Sequence, residues 1–279
     1  MTYEQKIIDD YVGKTESSID KLDLRPIRFM QSIVPGTGEL NIGDPLPPLW
    51  HWLYFHTVVS LENLGEDGHP RRGQGQFLPP VKLDQRMWAG GHMSYRGQFR
   101  IGDTIEKRST ITDIRYKEGK TGALCFVTLE HEYRREGELL LCESQDVVYK
   151  NNSGGSPRLQ PAPQDADASE SLVPDPVMLF RYSALTFNGH RIHYDADYCR
   201  DVEGYPNLVF HGPFTATLLA DLVMRKQQRA LTEFKFRGVA PVFCDEQLKL
   251  NYREDDGFYT LWSSGPHDNL TMQAEAKFK

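Results

Sequence analysis

Three stretches in each half of the chain have the polar and apolar pattern of β-strands. In the first half they are residues 104–115, 122–134 and 138–149. Turns that contain Glu-Gly pairs separate these stretches, and glycine turns of this kind are typical of hairpins. We therefore predict an antiparallel meander in the first half.

The second half repeats the pattern. Residues 242–253, 257–264 and 269–278 read as three further strands. The last stretch alternates cleanly between apolar and polar side chains, which is the period of a strand with one buried face. We expect a second meander here.

An apolar segment of helical length precedes each meander. Residues 49–64 are strongly apolar, and residues 213–230 have the apolar spacing of an amphipathic helix, which Pro213 is well placed to begin. Residues 3–33 are more polar, and their apolar spacing suggests a surface helix. The shared order of helix and meander indicates a weak internal duplication.

A segment rich in turn-forming residues lies close to the middle of the chain. Residues 151–171 have almost no apolar content, so we predict a linker between an N-terminal unit over 1–150 and a C-terminal unit over 172–279. The expected fold class is α+β. Each antiparallel sheet would wrap around a central helix, and the two sheets would join edge to edge.

Composition narrows the class of protein. The 279 residues are 39% hydrophobic and 25% charged, which is the range of soluble globular proteins. A net charge of −7 disfavours a general nucleic-acid binder. The chain has no apolar run of about 18 residues and its start resembles no targeting peptide, so we expect a cytoplasmic protein without membrane contact. The four cysteines form no Cys-x-x-Cys pair, which excludes a zinc ribbon.

Residues 180–222 hold the densest group of reactive side chains. Asn188–His193 contains two imidazoles, an amide and a guanidinium, and Asp195 follows. His211 and Gly212 stand immediately before the predicted helix. Because the first amides of a helix have no partner within it and carry the positive end of its dipole, this turn predicts a site for a developing oxyanion.

The histidines allow more than one chemistry. His193 is a candidate proton carrier near neutral pH. His190, His193 and His211 could together hold a metal ion, although no pattern such as His-Glu-x-x-His accompanies them. Cys199, six residues from His193, is a less favoured nucleophile.

The stretch RYSALTFNGHRIHYD resembles the signature of the MaoC-like, or R-specific, enoyl-CoA hydratase family of hotdog proteins, and it aligns without gaps. His193 takes the place of the family's catalytic histidine, and Asn188 takes the place of its catalytic aspartate. Asp195, His211 and Gly212 also fall at the family's positions.

The departure at Asn188 is typical of one branch of the family. The phrases NGHRIHYD and EGYPNLVFHGP are similar to those of two-hotdog hydratases of itaconyl-CoA and mesaconyl-C4-CoA, and mitochondrial 3-hydroxyacyl-thioester dehydratases share them. In the first half, RMWAGGHMSYRGQFRIGDTIEKRSTI resembles the N-terminal hotdog of the same proteins.

The resemblance implies a double hotdog that adds water reversibly to an enoyl-CoA thioester, with itaconyl-CoA or mesaconyl-C4-CoA giving citramalyl-CoA in itaconate degradation. His193 would then act as base and acid, Asn188 would aim the water, and the Gly212 amide would bind the enolate oxygen. Asp195 or His190 is the rival candidate for the missing acid. We expect no metal and no cofactor, since coenzyme A is part of the substrate.

A dicarboxyl-CoA substrate carries a second carboxylate, for which a guanidinium is the natural bidentate partner. The candidates are Arg181, Arg191 and Arg86. We also expect His211 and Asp195 to contact the substrate.

Other parts of the site are assigned to the first half. Arg71 and Arg72 are candidates for the CoA phosphates, and Trp88–Gly91 is a candidate wall of the acyl tunnel. Only the second half carries the histidine motif, so we expect one active site per chain in a cleft between the halves. Edge strands of hotdog folds usually pair, which predicts a homodimer.

Three alternatives stay open from the sequence. The chain could be a 3-hydroxyacyl-thioester dehydratase of fatty-acid metabolism or a hotdog thioesterase that uses a carboxylate. It could also be a non-catalytic acyl-CoA-binding subunit, an idea that the departure at Asn188 supports.

Overall fold

Antiparallel strands build one continuous sheet in the computed structural model, which describes residues 2–72, 76–119, 122–151, 159–227 and 229–279. Ten strands are present in these ranges. Their bounds are β1 Thr15–Lys21, β2 Gln85–Tyr95, β3 Thr104–Gly119, β4 Gly122–Arg135, β5 Glu138–Lys150, β6 Ala168–Leu172, β7 Leu231–Gly238, β8 Leu248–Asp255, β9 Phe258–Ser264 and β10 Leu270–Phe278.

The order of the strands separates the two halves of the chain. It is β1-β3-β4-β5-β2 for the first half, continued by β7-β10-β9-β8-β6 for the second. The halves meet where β2 pairs with β7, with Gly91 opposite Phe236 and Met93 opposite Phe234. The predicted edge-to-edge joining of two antiparallel sheets is therefore confirmed.

Helices are few and short. They are α1 Tyr3–Tyr11, α2 Leu24–Gln31, α3 Pro176–Leu185, α4 Ala196–Tyr198 and α5 Gly212–Met224. Of the described helices, none has the length and apolarity to cross a membrane.

Helix α5 is the central helix of the second half. Every residue over 214–220 is buried, and the helix packs against β7, β8, β9 and β10. A helix that is apolar on all sides must be enclosed, and the curved sheet encloses this one. The helix predicted over 213–230 is present, although it ends at Met224.

The first half has no equivalent of α5 among its described residues. The helix predicted over 49–64 is reduced to a 3₁₀ turn at Trp50–Leu53 and another at Leu61–Asn63. Leu49 and Phe55 adopt left-handed φ angles of 67° and 61°, which no α-helix accommodates. The Phe55 amide donates to the carboxylate of Asp20 (2.8 Å), which holds the chain in this conformation.

Other segments also differ from the predicted elements. The surface helix expected over 3–33 is divided into α1, β1 and α2, and Gly13, with a φ of 86°, stands at the first division. Strands β2 and β7 were not predicted, and β6 occupies the end of the segment predicted as a linker. Residues 152–158 of that segment lie outside the described residues.

The apolar core runs through both halves. One cluster includes Leu22, Trp50 and Met93 from the first half and Phe214 and Phe234 from the second. Because burial of apolar surface is the main favourable term in folding, a shared core ties the stability of each half to the other.

The junction between β2 and β7 requires a glycine at position 90. A Cβ there would lie 2.6 Å from the carbonyl oxygen of Phe236. We predict that Gly90→Val lowers the free energy of unfolding by ~2 kcal/mol or more, the usual scale of overpacking. Urea denaturation measures this loss. Gly38→Ala is the control, because a Cβ at Gly38 meets nothing within 4 Å; equal stability of the two variants would contradict a tight junction.

Candidate active site

His193 lies at the end of a 3₁₀ turn, Arg191–His193, and is buried. Its Nδ1 is 2.7 Å from the carbonyl oxygen of Val209. A carbonyl only accepts hydrogen bonds, so Nδ1 carries the proton and Nε2 of the neutral ring has a free lone pair. Burial lowers the pKa of His193 to about 4, which keeps the ring neutral at physiological pH.

His211 stacks directly on His193. The two ring centroids are 3.6 Å apart and the planes are 17° from parallel. Nε2 of His211 is 2.9 Å from the hydroxyl oxygen of Ser183, and the edge of Tyr182 closes the other side. Burial, followed by the proximity of His193 and His190, holds the pKa of His211 well below its ordinary value. The predicted site histidines are thus brought together as a neutral pair.

Helix α5 begins immediately after His211. His211 is its N-cap residue and makes no side-chain capping bond, and Pro213 in the first turn has no N–H. A Cβ placed on Gly212 would meet nothing within 4 Å. The Gly212 amide therefore lies at an uncrowded helix start, as an oxyanion site requires.

Asn188 lies between Phe187, which has a left-handed φ of 51°, and the loop that leads to His193. Its Oδ1 accepts a hydrogen bond from the amide of His190 (3.0 Å), which fixes the side chain. The Nδ2 group is left as a donor.

A cavity of about 250 Å³ is lined by Asn188 and by Pro213, the residue after Gly212, whereas His193, His211 and Gly212 are not among its lining residues. The second half contributes Tyr182, Thr186, Asn188 and Pro213 to its lining. The first half contributes the larger part, namely His51, Trp52, Tyr54, Phe55, His56, Thr57, Trp88, Lys107, Tyr133 and Gln145. The cavity therefore lies between the halves, against the segment where the first half lacks a central helix. Trp88, predicted as part of the acyl tunnel, lines it.

A fully buried carboxylate supports the first-half wall. Glu143 accepts hydrogen bonds from His51, Trp52, Tyr133 and Gln145, at 3.1, 2.8, 2.7 and 2.7 Å. Burial alone would raise the pKa of Glu143, but the hydrogen bond and charge of His51, with other nearby positive groups, hold that pKa below its ordinary value. The aromatic wall is therefore ordered by a charged centre.

The three predicted arginines do not line the cavity. Arg191 donates to the Asp195 carboxylate from Nε (3.0 Å) and Nη2 (2.7 Å) and to the carbonyl of Glu66. Arg181 is exposed on α3, with Nη1 3.4 Å from the hydroxyl of Ser32. Arg86 lies half-buried on β2.

Asp195 also stabilises its own loop. Besides its bond with Arg191, it caps α4 by accepting from the amide of Tyr198 (3.0 Å). These hydrogen bonds, from the Tyr198 amide first and then Arg191, lower the pKa of Asp195. Its carboxylate is therefore occupied within its own loop and is not among the groups lining the cavity.

The arginines expected to bind CoA phosphates are also engaged. Nε of Arg71 donates to the carbonyl of Leu64 (2.8 Å). Arg72 donates to the carbonyls of Leu83 and Asp84, and its guanidinium lies over the ring of Tyr149.

A loop of the first half that contains Asp67 and Gly68 packs against the segment Asn188–His193. The amide of Arg191 donates to the carbonyl of Asp67 (2.9 Å). A Cβ on Gly68 would lie only 1.9 Å from the carbonyl oxygen of Gly189, so this contact requires glycine. The sequence analysis assigned no contact to this loop, although the order Asp67-Gly68-His69 places a carboxylate and an imidazole on either side of a glycine.

The same loop adds two titratable groups, Asp67 and His69, beside His190. Asp67 Oδ2 is 3.0 Å from Nδ1 of His69, whose ring centroid is 4.1 Å from that of His190. His190 in turn meets His193 edge to face at 5.6 Å. Ligand atoms of Asp67, His69 and His190 lie within 4.8 Å of one another, so these three residues have the spacing to hold a metal ion.

These features define a class of protein. A curved antiparallel sheet of two joined halves, with a neutral histidine beside the start of a buried helix, is the arrangement of double-hotdog enzymes that act on acyl thioesters. Residues 49–244 match the family described as hydroxyacyl-thioester dehydratase type 2. The chain belongs to this MaoC-like family and is a hydro-lyase.

Individual relatives agree with this assignment. The chain is 38% identical over 268 residues to mesaconyl-C(4)-CoA hydratase of Chloroflexus aurantiacus, covering 95% of each protein. It is 26% identical over 230 residues to the mitochondrial hydroxyacyl-thioester dehydratase type 2 of Schizosaccharomyces pombe, covering 74% of this chain and 77% of the relative.

Solved structures support the fold. HtdX of Mycobacterium tuberculosis superposes with a TM-score of 0.71 at 17% identity, covering 95% of this chain and all of HtdX. A second protein of that organism, described as a double hotdog, gives a TM-score of 0.62 at 14% identity, with 96% of each chain covered. The expected double hotdog is therefore confirmed.

The buried histidines make stability depend on pH. Burial lowers the pKa of His131 to about 4 from an ordinary 6.5, and that of His193 equally. Between pH 6.5 and 4 the unfolded chain then binds more protons, so stability falls as pH falls through this window. We predict that His131→Gln reduces the slope of unfolding free energy against pH, from 6.5 to 5, by up to about 1.4 kcal/mol per pH unit.

Urea denaturation at a series of pH values measures this slope. Exposed His267→Gln is the matched control and should leave it as in the unmodified protein. A slope that is the same in His131→Gln and the unmodified protein would show that His131 is not buried in its neutral form.

Proposed function

We propose that this protein hydrates a short, branched dicarboxyl-CoA thioester, converting itaconyl-CoA or mesaconyl-C4-CoA to citramalyl-CoA in itaconate degradation. The observation that carries the proposal is the neutral His193, with its proton on Nδ1, stacked on the His211 that caps the helix start at Gly212. The 38% identity to a mesaconyl-C(4)-CoA hydratase supports the same substrate class.

The reaction begins with water activated by His193. In mesaconyl-C4-CoA, whose double bond is conjugated to the thioester, Nε2 takes a proton from the water as the water oxygen forms a bond to the β-carbon. The π electrons move towards the thioester carbonyl, which becomes an enolate, and the Gly212 amide stabilises the negative oxygen. The imidazolium of His193 then returns its proton to the α-carbon, which completes the addition of one water.

In this proposal Asn188 positions the attacking water. An amide cannot accept a proton at neutral pH, so it does not replace the aspartate of other family members as a base. With Oδ1 held by the amide of His190, the Nδ2 group is free to hold the oxygen of the attacking water. His193 therefore carries the proton alone.

The cavity favours a small acyl group. Its volume of about 250 Å³ and its rim of aromatic rings suit a five-carbon acyl unit better than a fatty chain. The family match keeps a 3-hydroxyacyl-thioester dehydratase as the second candidate. The cytoplasmic location and the homodimer stay predictions; β1 and β6 are the edge strands that a second copy would pair with.

The substrate class is tested by the absorbance of the enoyl-thioester band. We expect rapid loss with mesaconyl-C4-CoA and slow loss with crotonyl-CoA, because the cavity lining includes polar and charged side chains as well as aromatic rings. Itaconyl-CoA, whose double bond is not conjugated to a thioester at its C4 carboxyl, is followed by chromatographic detection of citramalyl-CoA. Mesaconyl-C1-CoA, in which CoA is attached to the carboxyl next to the methyl-bearing carbon, serves as the control for the position of the thioester. Preference for crotonyl-CoA or longer enoyl-CoAs would instead support the fatty-acyl dehydratase.

The catalytic base is tested by His193→Gln. We expect kcat to fall about a hundredfold or more, the usual contribution of a general base. Glutamine retains hydrogen-bonding capacity, so the circular dichroism spectrum should be preserved. His267→Gln is the control for loss of an unrelated imidazole. Turnover at the unmodified rate in His193→Gln would remove His193 from the mechanism.

A further inference from the structure

We propose that Lys107 binds the free carboxylate of the acyl group and so determines the preference for dicarboxyl-CoA over neutral enoyl-CoA substrates. This inference rests on the proposed function and assigns the carboxylate to a lysine of the first half, in place of the arginines that the sequence suggested.

Lys107 belongs to the inward-facing side of β3. Its neighbours on that side, Ile105 and Ser109, are buried, and Tyr133 lies directly opposite it on β4. The lysine itself is half-buried and lines the cavity that Asn188 also lines. The side chain therefore leads from the sheet to the space beside the catalytic motif.

Aromatic rings surround the ammonium group. Nζ lies 5.7 Å from the ring centroid of Tyr133 and 5.9 Å from that of Phe55. Burial among these groups lowers the pKa of Lys107, with Glu143 and Glu16 acting in the opposite direction. Such rings orient a cation but supply no counter-charge.

The ammonium has no short-range ion pair in the described part of the chain. Nζ has no carboxylate oxygen within 4.0 Å there. Glu143 is the nearby buried acid, but its oxygens already accept bonds from His51, Trp52, Tyr133 and Gln145. A partly desolvated cation without a partner is costly, and a ligand carboxylate would relieve that cost.

The three arginines suggested by the sequence, Arg86, Arg181 and Arg191, do not line the cavity. Among the described residues that line the cavity, Lys107 is the one with a lysine or arginine side chain. Arg191 is paired with Asp195, and Arg181 is exposed on α3.

The direction of the substrate agrees with this assignment. In the proposed reaction the thioester oxygen lies at the start of α5 and the water near Asn188. In this orientation the carboxylate on the far side of the double bond would extend towards the first-half wall of the cavity, which Lys107 lines. An ionic contact there would recognise a dicarboxyl substrate and add nothing for a neutral one.

The test compares Lys107→Met with the unmodified enzyme on mesaconyl-C4-CoA, itaconyl-CoA and crotonyl-CoA. We expect kcat/KM for the preferred dicarboxyl substrate to fall about 100-fold, mostly through KM, because a buried charge pair is lost. The value for crotonyl-CoA should change less than about threefold, since no charge contact is removed. Lys117→Met, exposed on the same strand, is the matched control and should change neither value.

Thermal unfolding distinguishes a binding role of Lys107 from a structural role. Removing an unpaired, partly buried charge should leave the melting temperature unchanged or raise it. Lys107→Gln, which is polar but uncharged, is the second variant should methionine impair folding, and the same change in specificity is expected. Equal losses on both substrate types, or a lowered melting temperature with such losses, would overturn the proposal.

The outcomes distinguish this inference from the proposed function. If the unmodified enzyme hydrates a dicarboxyl-CoA and Lys107→Met hydrates it equally well, the assignment of Lys107 is wrong and the function stands. If the unmodified enzyme hydrates only neutral enoyl-CoAs, the proposed function fails, and the inference fails with it.

Discussion

The pairing of β2 with β7 is the interaction on which the rest of the structure depends. It joins two meanders into one ten-stranded sheet and fixes which residues of the first half face the second. The strands approach closely because Gly90 and Gly91 have no side chains to hold them apart. The cavity lies beside this junction, and Trp88 on β2 is one of its walls. The backbone hydrogen bonds of this junction therefore set how the cavity lies relative to the histidine motif of the second half.

The halves have diverged in what they place inside the sheet. The second contains a buried helix, whose start at Gly212 is the proposed oxyanion site. The first replaces that helix with a short turn and a polar group centred on Glu143, and the space left open is the cavity. Without a central helix the first half buries less apolar area, which lowers its stability. The hydrogen bonds between Glu143 and its partners offset part of that loss. The same groups form a polar wall that a charged ligand could contact.

Much of the fold and half of the site follow from the sequence. Six strands and α5 were predicted because their periodicity is local, and the motif placed His193, His211 and Gly212 together. The break at Phe55 was not predictable, since its left-handed backbone is held by a hydrogen bond that its amide donates to the distant carboxylate of Asp20. Arg191 and Asp195 have the side chains of a binding site but lie four positions apart in one loop, where they satisfy each other. Lys107, by contrast, has no ion pair among the described residues and belongs to the first half of the chain. No spacing in the sequence indicates that it lies in the cavity beside Asn188.

The stacked imidazoles set a limit on the charge that the site can hold. With centroids 3.6 Å apart in a buried setting, His193 and His211 cannot both be protonated, since like charges so close repel strongly. In the proposed mechanism the pair therefore holds one extra proton at a time. That proton must pass to the carbon next to the thioester before the pair can take up another in the next turnover.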